Sequence, residues 1–234
     1  MAKTVGDPGR GRSQAVHRAL KRAILDQALS PGAKLPEDSI GERLGVSRTL
    51  VREALVRLSE EGLVDLRPNK GATVARPTLE EGRNLFLTRM ALERLVVETL
   101  SGKLTKEQIE TLSTHIAAEE AAKKDHAPSI RLAGEFHTML AQMTNNASLI
   151  RYVNELVARS SLILALYGRP HSSDCAVSEH QDLLDSLIAG KTDEASKLMA
   201  HHLDSITTRA LLPREEDRNI KDVLTSYAAA EGLN

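Results

Sequence analysis

Arg48 and Arg52 stand four residues apart, a spacing that sets both guanidinium groups on one face of a helix. Val51, Ala54, Leu55 and Leu58 fall at i, i+3, i+4 and i+7, an apolar stripe that must pack inward, and Arg48, Thr49 and Arg52 lie off it. Arginine in that position suits two tasks: bridging O6 and N7 of guanine, or clamping a phosphate. Ser47 stands where it can cap the helix, and its hydroxyl, with the free backbone N–H groups beside it, can hold a phosphate. Further on, Lys70 and Gly71 close the run Pro68-Asn69-Lys70-Gly71 between two β-like segments, where a lysine would reach phosphates or a minor groove. Two arginines four apart also describe many solvated helix surfaces, so the elements around them decide what they do.

Those elements have a recognisable order. Val16, Ala19, Leu20, Ala23 and Ile24 make a helical stripe that Ser30-Pro31-Gly32 ends. A short second helix over 38–44, capped by Asp38 or Ser39, leads through Gly45-Val46 into a third helix from Ser47 to about Glu61, which Gly62 stops. The period then changes: 63–67 and 72–75 read as strands of a hairpin with a basic tip. Helix, short helix, turn, helix and two-stranded wing are the parts of a winged helix-turn-helix. Arg76-Pro77-Thr78 reads as a linker. Beyond it only helices are predicted, over 79–101, 105–124, 128–144, 147–168, 173–189 and 193–212, with Thr105, Ser148 and Thr192 as caps and Gly168 to Pro170 as one of the breaks. The fold expected is therefore mainly α, a winged helix-turn-helix over 13–76 and an antiparallel all-α bundle over 77–212, flanked by a mobile segment over 1–12 and a tail over 213–234.

Composition narrows the partners. Residues 1–77 carry 14 Lys and Arg against 9 Asp and Glu, whereas 78–234 carry 17 against 23. A basic front on an acidic back points to a polyanion for the front alone. Aromatic residues are 2% with no Trp, which argues against a base-stacking surface for single strands or RNA. No apolar run has the length of a membrane span, and Met1 to Ser13 lacks a secretory pattern, so a cytoplasmic protein without membrane contact is expected. The one cysteine, Cys175, allows no intrachain disulfide and fits a reducing compartment.

From Val16 to Val74 the chain resembles the GntR family of transcription regulators, most specifically in LGVSRTLVREALVRLSEEGLV followed by a wing glycine. The resemblance implies double-stranded operator DNA as partner, with Ser47, Arg48, Thr49 and Arg52 at the main contact positions and Gly71 at the wing contact. Asp38 departs from relatives that place a DNA-contacting Arg there, and Ile40-Gly41 replaces the usual Leu-Ala.

Residues 79–212 resemble the FadR-like, or FCD, class of that family through GEFHTMLAQMTNN, SEHQDLLDSLIAGK and LMAHHL. In that class an Asp and three His hold a divalent metal in a pocket that takes a small carboxylate effector. The matching histidines here are His137, His180 and His202. Three neutral imidazoles suit zinc, nickel or similar ions and leave coordination positions open. The acidic ligand is missing: Ala133 stands four residues before His137, and Glu135, two residues before it, faces another side. His201 is turned about 100° from His202 around its helix. Arg159, on the helix 147–168, offers itself as a carboxylate clamp or as a surface ion pair. The whole reads as a homodimeric repressor of operator DNA released by an organic acid. A metal-dependent enzyme built on the histidines lacks paired carboxylates or a nucleophile–base motif, and an architectural DNA-binding protein would leave the histidines unused.

Overall fold

The computed structural model describes residues 8–167 and 174–211. The turn expected at Gly168 to Pro170 and the tail over 213–234 lie outside the described residues. Helix α1 spans Pro8–Leu25. It starts earlier than expected and takes in residues 8–12, assigned above to a mobile segment; proline suits the first position of a helix because its missing N–H would have no partner there. Val16, Leu20 and Ile24 are its buried stripe.

Helix α2 spans Glu37–Leu44 and α3 spans Arg48–Glu60. Pro36, not Asp38 or Ser39, precedes the first turn of α2, and no side chain caps it. Gly45 turns the chain with a φ of 62°. Gly41 lies so close under this turn that an added methyl would meet the Val46 carbonyl oxygen at 2.9 Å, so glycine in place of alanine matches a tighter turn. The predicted stripe of α3 is fully buried against α1 and α2. Strands β1 (Val64–Arg67) and β2 (Gly71–Val74) pair antiparallel, Val64 opposite Val74 and Arg67 opposite Gly71. The segment before α2 adds a further edge to the wing, with Leu35 N–H donating to the Ala72 carbonyl and Gly32 N–H to that of Val74, each at 2.9 Å.

Six helices follow among the described residues: α4 (Leu79–Leu100), α5 (Lys106–Ala122), α6 (His126–Met143), α7 (Ala147–Tyr167), α8 (Asp174–Ile188) and α9 (Thr192–Leu211). Thr78 with Glu81, and Thr105 with Gln108, form capping boxes that start α4 and α5. Two expected caps are corrected. Ser148 lies inside α7, whose start is held by Asn146 Oδ1 accepting the Leu149 N–H. Thr192 is the first residue of α9 and donates its hydroxyl to Ser101 instead.

Leu112, Phe136, Leu140, Val153, Leu183, Leu187 and Leu203 are among the buried residues of the bundle core. The domains are not joined by a linker alone. Ala158 and Leu162 of α7 complete the core of the DNA-binding unit, Tyr167 donates to the Pro77 carbonyl, and Arg131 of α6 donates to Asp26 at the end of α1.

Candidate functional site

The winged unit brings four of its predicted residues to one groove. Arg48 and Arg52 project from the first turns of α3, and with the wing residues Lys70 and Gly71 they line a groove of about 760 Å³ between α2, α3 and the hairpin. Ser47 caps α3 by accepting the Leu50 N–H at 3.4 Å, which leaves its own proton to donate outward. Thr49 is exposed beside it. The hairpin tip bends because Asn69 and Gly71 both take positive φ, 59° and 78°, so the exposed Lys70 stands at the end of the wing.

One contact was not foreseen. Glu37, on the first turn of α2, accepts the Nε–H of Arg48 at 2.8 Å and that of Arg52 at 3.0 Å. These hydrogen bonds hold its carboxyl below the usual carboxylate range. Asp38 lies 3.4 Å from Nη1 of Arg48.

The second site lies inside the bundle. His137 of α6, His180 of α8 and His202 of α9 are all buried, and a nitrogen from each lies within 4.8 Å of the others. Nε2 of His202 stands 3.2 Å from Nε2 of His137 and 3.3 Å from Nε2 of His180. Each opposite ring nitrogen, Nδ1, faces a carboxylate: Glu93 of α4 for His137, Glu119 of α5 for His180 at 2.8 Å, and Glu179 of α8 for His202 at 2.6 Å. Phe136 stacks on His180 with ring centroids 4.1 Å apart. His201, by contrast, is exposed.

This pattern fixes protonation. Burial pushes His137 down to about 4 and His202 to about 3, so both are neutral near pH 7. Burial alone would raise Glu93, but Arg89 and His137 outweigh it and bring it to about 2. An ionised carboxylate on Nδ1 keeps the ring proton there and turns the Nε2 lone pair to the centre. Neutral His137 and His202 in that tautomer share no proton at 3.2 Å, and their lone pairs repel unless a cation sits between them. Two nitrogens each about 2.0–2.1 Å from a tetrahedral zinc ion are roughly 3.4 Å apart. The donor set therefore fits a divalent metal in chemistry, and the two pairs at 3.2 and 3.3 Å fit one in spacing. Ala133 lies one turn before His137 and supplies no ligand, and Glu135 is occupied by Nη1 of Arg131 at 2.7 Å.

Arg159 is placed elsewhere. It lies against Gly62, where an added methyl would meet its Cδ at 2.7 Å, and it faces Glu155 at 3.7 Å. With Glu81, Arg76 and Arg67 it lines a crevice of about 420 Å³ between the wing and α7. It is not brought together with the histidines. A different arginine is: Arg89, buried on α4, donates Nε–H to Glu93, and its Nη2 has no hydrogen-bond partner among the described residues. Sequence reading missed Arg89, Glu93 and Glu119, although each falls on an apolar stripe, Arg89 and Glu93 between Phe86 and Val97, and Glu119 after Leu112 and Ile116. Glu179 carried no signal beyond adjoining His180.

Residues 12–74 match the family model described as bacterial regulatory proteins, gntR family, and residues 84–205 match the FCD domain. The chain is 25% identical to the HTH-type transcriptional repressor RspR of Escherichia coli K12, over 90% of this chain and 94% of that protein. It is 28% identical to the HTH-type transcriptional repressor NanR of Enterobacter sp. 638, over 83% and 84%. The crystal structure of a GntR regulator from Rhodococcus sp. RHA1 superposes with a TM-score of 0.76 at 26% identity, covering 86% of this chain and 98% of that one.

Proposed function

The chain belongs to the gntR family of bacterial regulatory proteins and carries an FCD domain behind its DNA-binding domain, which makes it a DNA-binding transcription regulator and not an enzyme; from that premise we propose that it is a homodimeric repressor, acting in the cytoplasm, whose hold on operator DNA is changed by a small carboxylate at the histidine site. The observation that carries this reading is the buried convergence of His137, His180 and His202, each backed by a carboxylate. The repressor role is supported by the names of RspR and NanR.

His137, His180 and His202 would hold a divalent ion, and such an ion supplies positive charge and open coordination positions for a carboxylate oxygen. Glu93, Glu119 and Glu179 fix the ring tautomers and orient the imidazoles. Arg89 offers a buried guanidinium edge beside this centre, so it replaces Arg159 as the group proposed to pair with the effector's carboxylate. On the DNA side, Arg48, Thr49 and Arg52 read base edges, while Ser47, Lys70 and Gly71 position the backbone. The two sites are mechanically joined, because α6 carries both His137 and Arg131, the latter tied at 2.8 Å to Asp26 just past the end of α1. A shift of α6 on effector binding therefore pulls directly on the DNA-binding unit.

The test is a melting screen of organic acids with Zn²⁺ or Ni²⁺, followed by operator affinity with the stabilising acid at saturation. An effector should change that affinity by about 1–3 kcal/mol. Stabilisation without any change in DNA affinity would leave the bundle as a dimerisation device.

A further inference from the structure

We infer that Glu37 is a positioning residue for sequence readout: one carboxylate aligns Arg48 and Arg52 in advance, so that the regulator discriminates between sequences at the expense of general affinity for DNA. The inference rests on the reading that the two arginines meet base edges.

The geometry has three parts. First, the carboxylate is divided between its partners, Oε2 taking Nε–H of Arg48 and Oε1 taking Nε–H of Arg52. The two oxygens of one carboxylate are rigidly spaced, so the two guanidinium groups are held side by side. Second, Glu37 takes only the Nε–H of each arginine. Each guanidinium keeps two Nη groups, and the edge they form can span O6 and N7 of guanine. On Arg48 one of these, Nη1, also lies 3.4 Å from Asp38, which leaves Arg52 the freer reader. Third, exposure is graded in the right direction. The Glu37 side chain is 17% exposed, whereas those of Arg48 and Arg52 are 60% and 63% exposed. The anchor lies in the groove wall and the reading edges stand out from it.

Two consequences oppose each other. A long arginine side chain loses much rotamer freedom when it binds, and alignment beforehand removes that cost from the binding step. That gain is realised only where a base presents matching acceptors. A carboxylate in the same face lowers the attraction to phosphates, which any sequence presents equally. Specific binding is thereby favoured over non-specific binding. A simple electrostatic brake would weaken both alike.

The experiment uses the full-length protein and needs no known operator. Wild type, Glu37→Ala, Glu37→Gln and Arg52→Ala each select from a random double-stranded DNA pool. Affinities for the selected and a scrambled duplex are then measured at two salt concentrations, alongside melting temperatures. Glu37→Ala is expected to lower the selected-to-scrambled ratio about tenfold, the scale of one bidentate base contact. It is also expected to raise affinity for the scrambled duplex, with melting unchanged. Glu37→Gln, which keeps one acceptor oxygen, should fall between; it decides the matter should Glu37→Ala melt low. An unchanged ratio in both variants overturns the positioning role. A selected motif that Arg52→Ala leaves intact, or no motif with wild type, instead refutes the reading of the DNA face, and the inference falls with it.

Discussion

Replacing His180 by Ala tests the buried histidine centre most directly. The side chain is fully buried, its Nε2 lies 3.3 Å from that of His202, and its Nδ1 is 2.8 Å from Glu119. The substitution removes one of the three proposed ligands and leaves the Glu119 carboxylate without its imidazole, so the metal-free protein should itself lose stability. The informative quantity is therefore the increment that metal adds. An ion at one hundred times its dissociation constant stabilises a folded protein by about 2.7 kcal/mol. For a chain of this size each kcal/mol moves the melting temperature by about 2–4 °C, so wild type should gain roughly 5–10 °C in Zn²⁺ or Ni²⁺ and lose it in chelator. In His180→Ala the increment should vanish, whatever the starting stability. Ala133→Asp should enlarge it, because a carboxylate one helical turn before His137 adds the anionic ligand this chain lacks. Calorimetric titration of dialysed protein supplies the affinities. If neither wild type nor Ala133→Asp takes up metal, the lone-pair argument fails, and the histidines must be hydrogen-bond partners of the effector or structural residues.

The other predictions concern the DNA face, its coupling to the bundle and the assembly. Arg48→Ala and Arg52→Ala should each weaken operator binding by roughly 1–3 kcal/mol, and at least one should relax sequence preference. Lys70→Ala should weaken binding evenly across sequences and lower the salt slope by about one unit, read from affinities at several salt concentrations. Arg131→Ala cuts the tie from α6 to Asp26, and should leave effector binding near wild type while reducing the effector's influence on DNA affinity; coupling of unchanged size would show that the route runs elsewhere. Leu87 and Leu95 of α4 are 66% and 46% exposed, and if they belong to the face between two protomers, Leu87→Glu with Leu95→Glu should give a monomer in sedimentation with sharply reduced operator affinity; a dimer of undiminished affinity would move the interface to another face.

What the sequence made legible follows from how many neighbours each residue needs. The stripe of α3, the glycine stop at 62 and the change to a two-residue period are local properties, and the structure repeats them nearly to the residue. The cap at Thr105 was equally local. Arg159 was misplaced for a definable reason. Helix α7 is buried on two sides, with Leu149, Val153 and Val157 toward the bundle core and Ala158 and Leu162 toward the DNA-binding core. Periodicity cannot say which of two buried faces an intervening arginine adjoins. The carboxylates behind the histidines pose the opposite case. Arg89 and Glu93 occupy stripe positions of α4, where burial of a charge is expensive unless it is paired, so their presence there announces a buried ion pair. Its partner across the bundle, His137, lies 44 residues away from Glu93, and only the packing of α4 against α6 brings the two together. Glu37 belongs to the same class: a carboxylate 11 and 15 residues before its two arginines acquires meaning only when the turn at Gly45 folds α2 across α3. In both sites the groups proposed to touch a ligand follow local patterns, and the groups proposed to aim them are specified by tertiary contact.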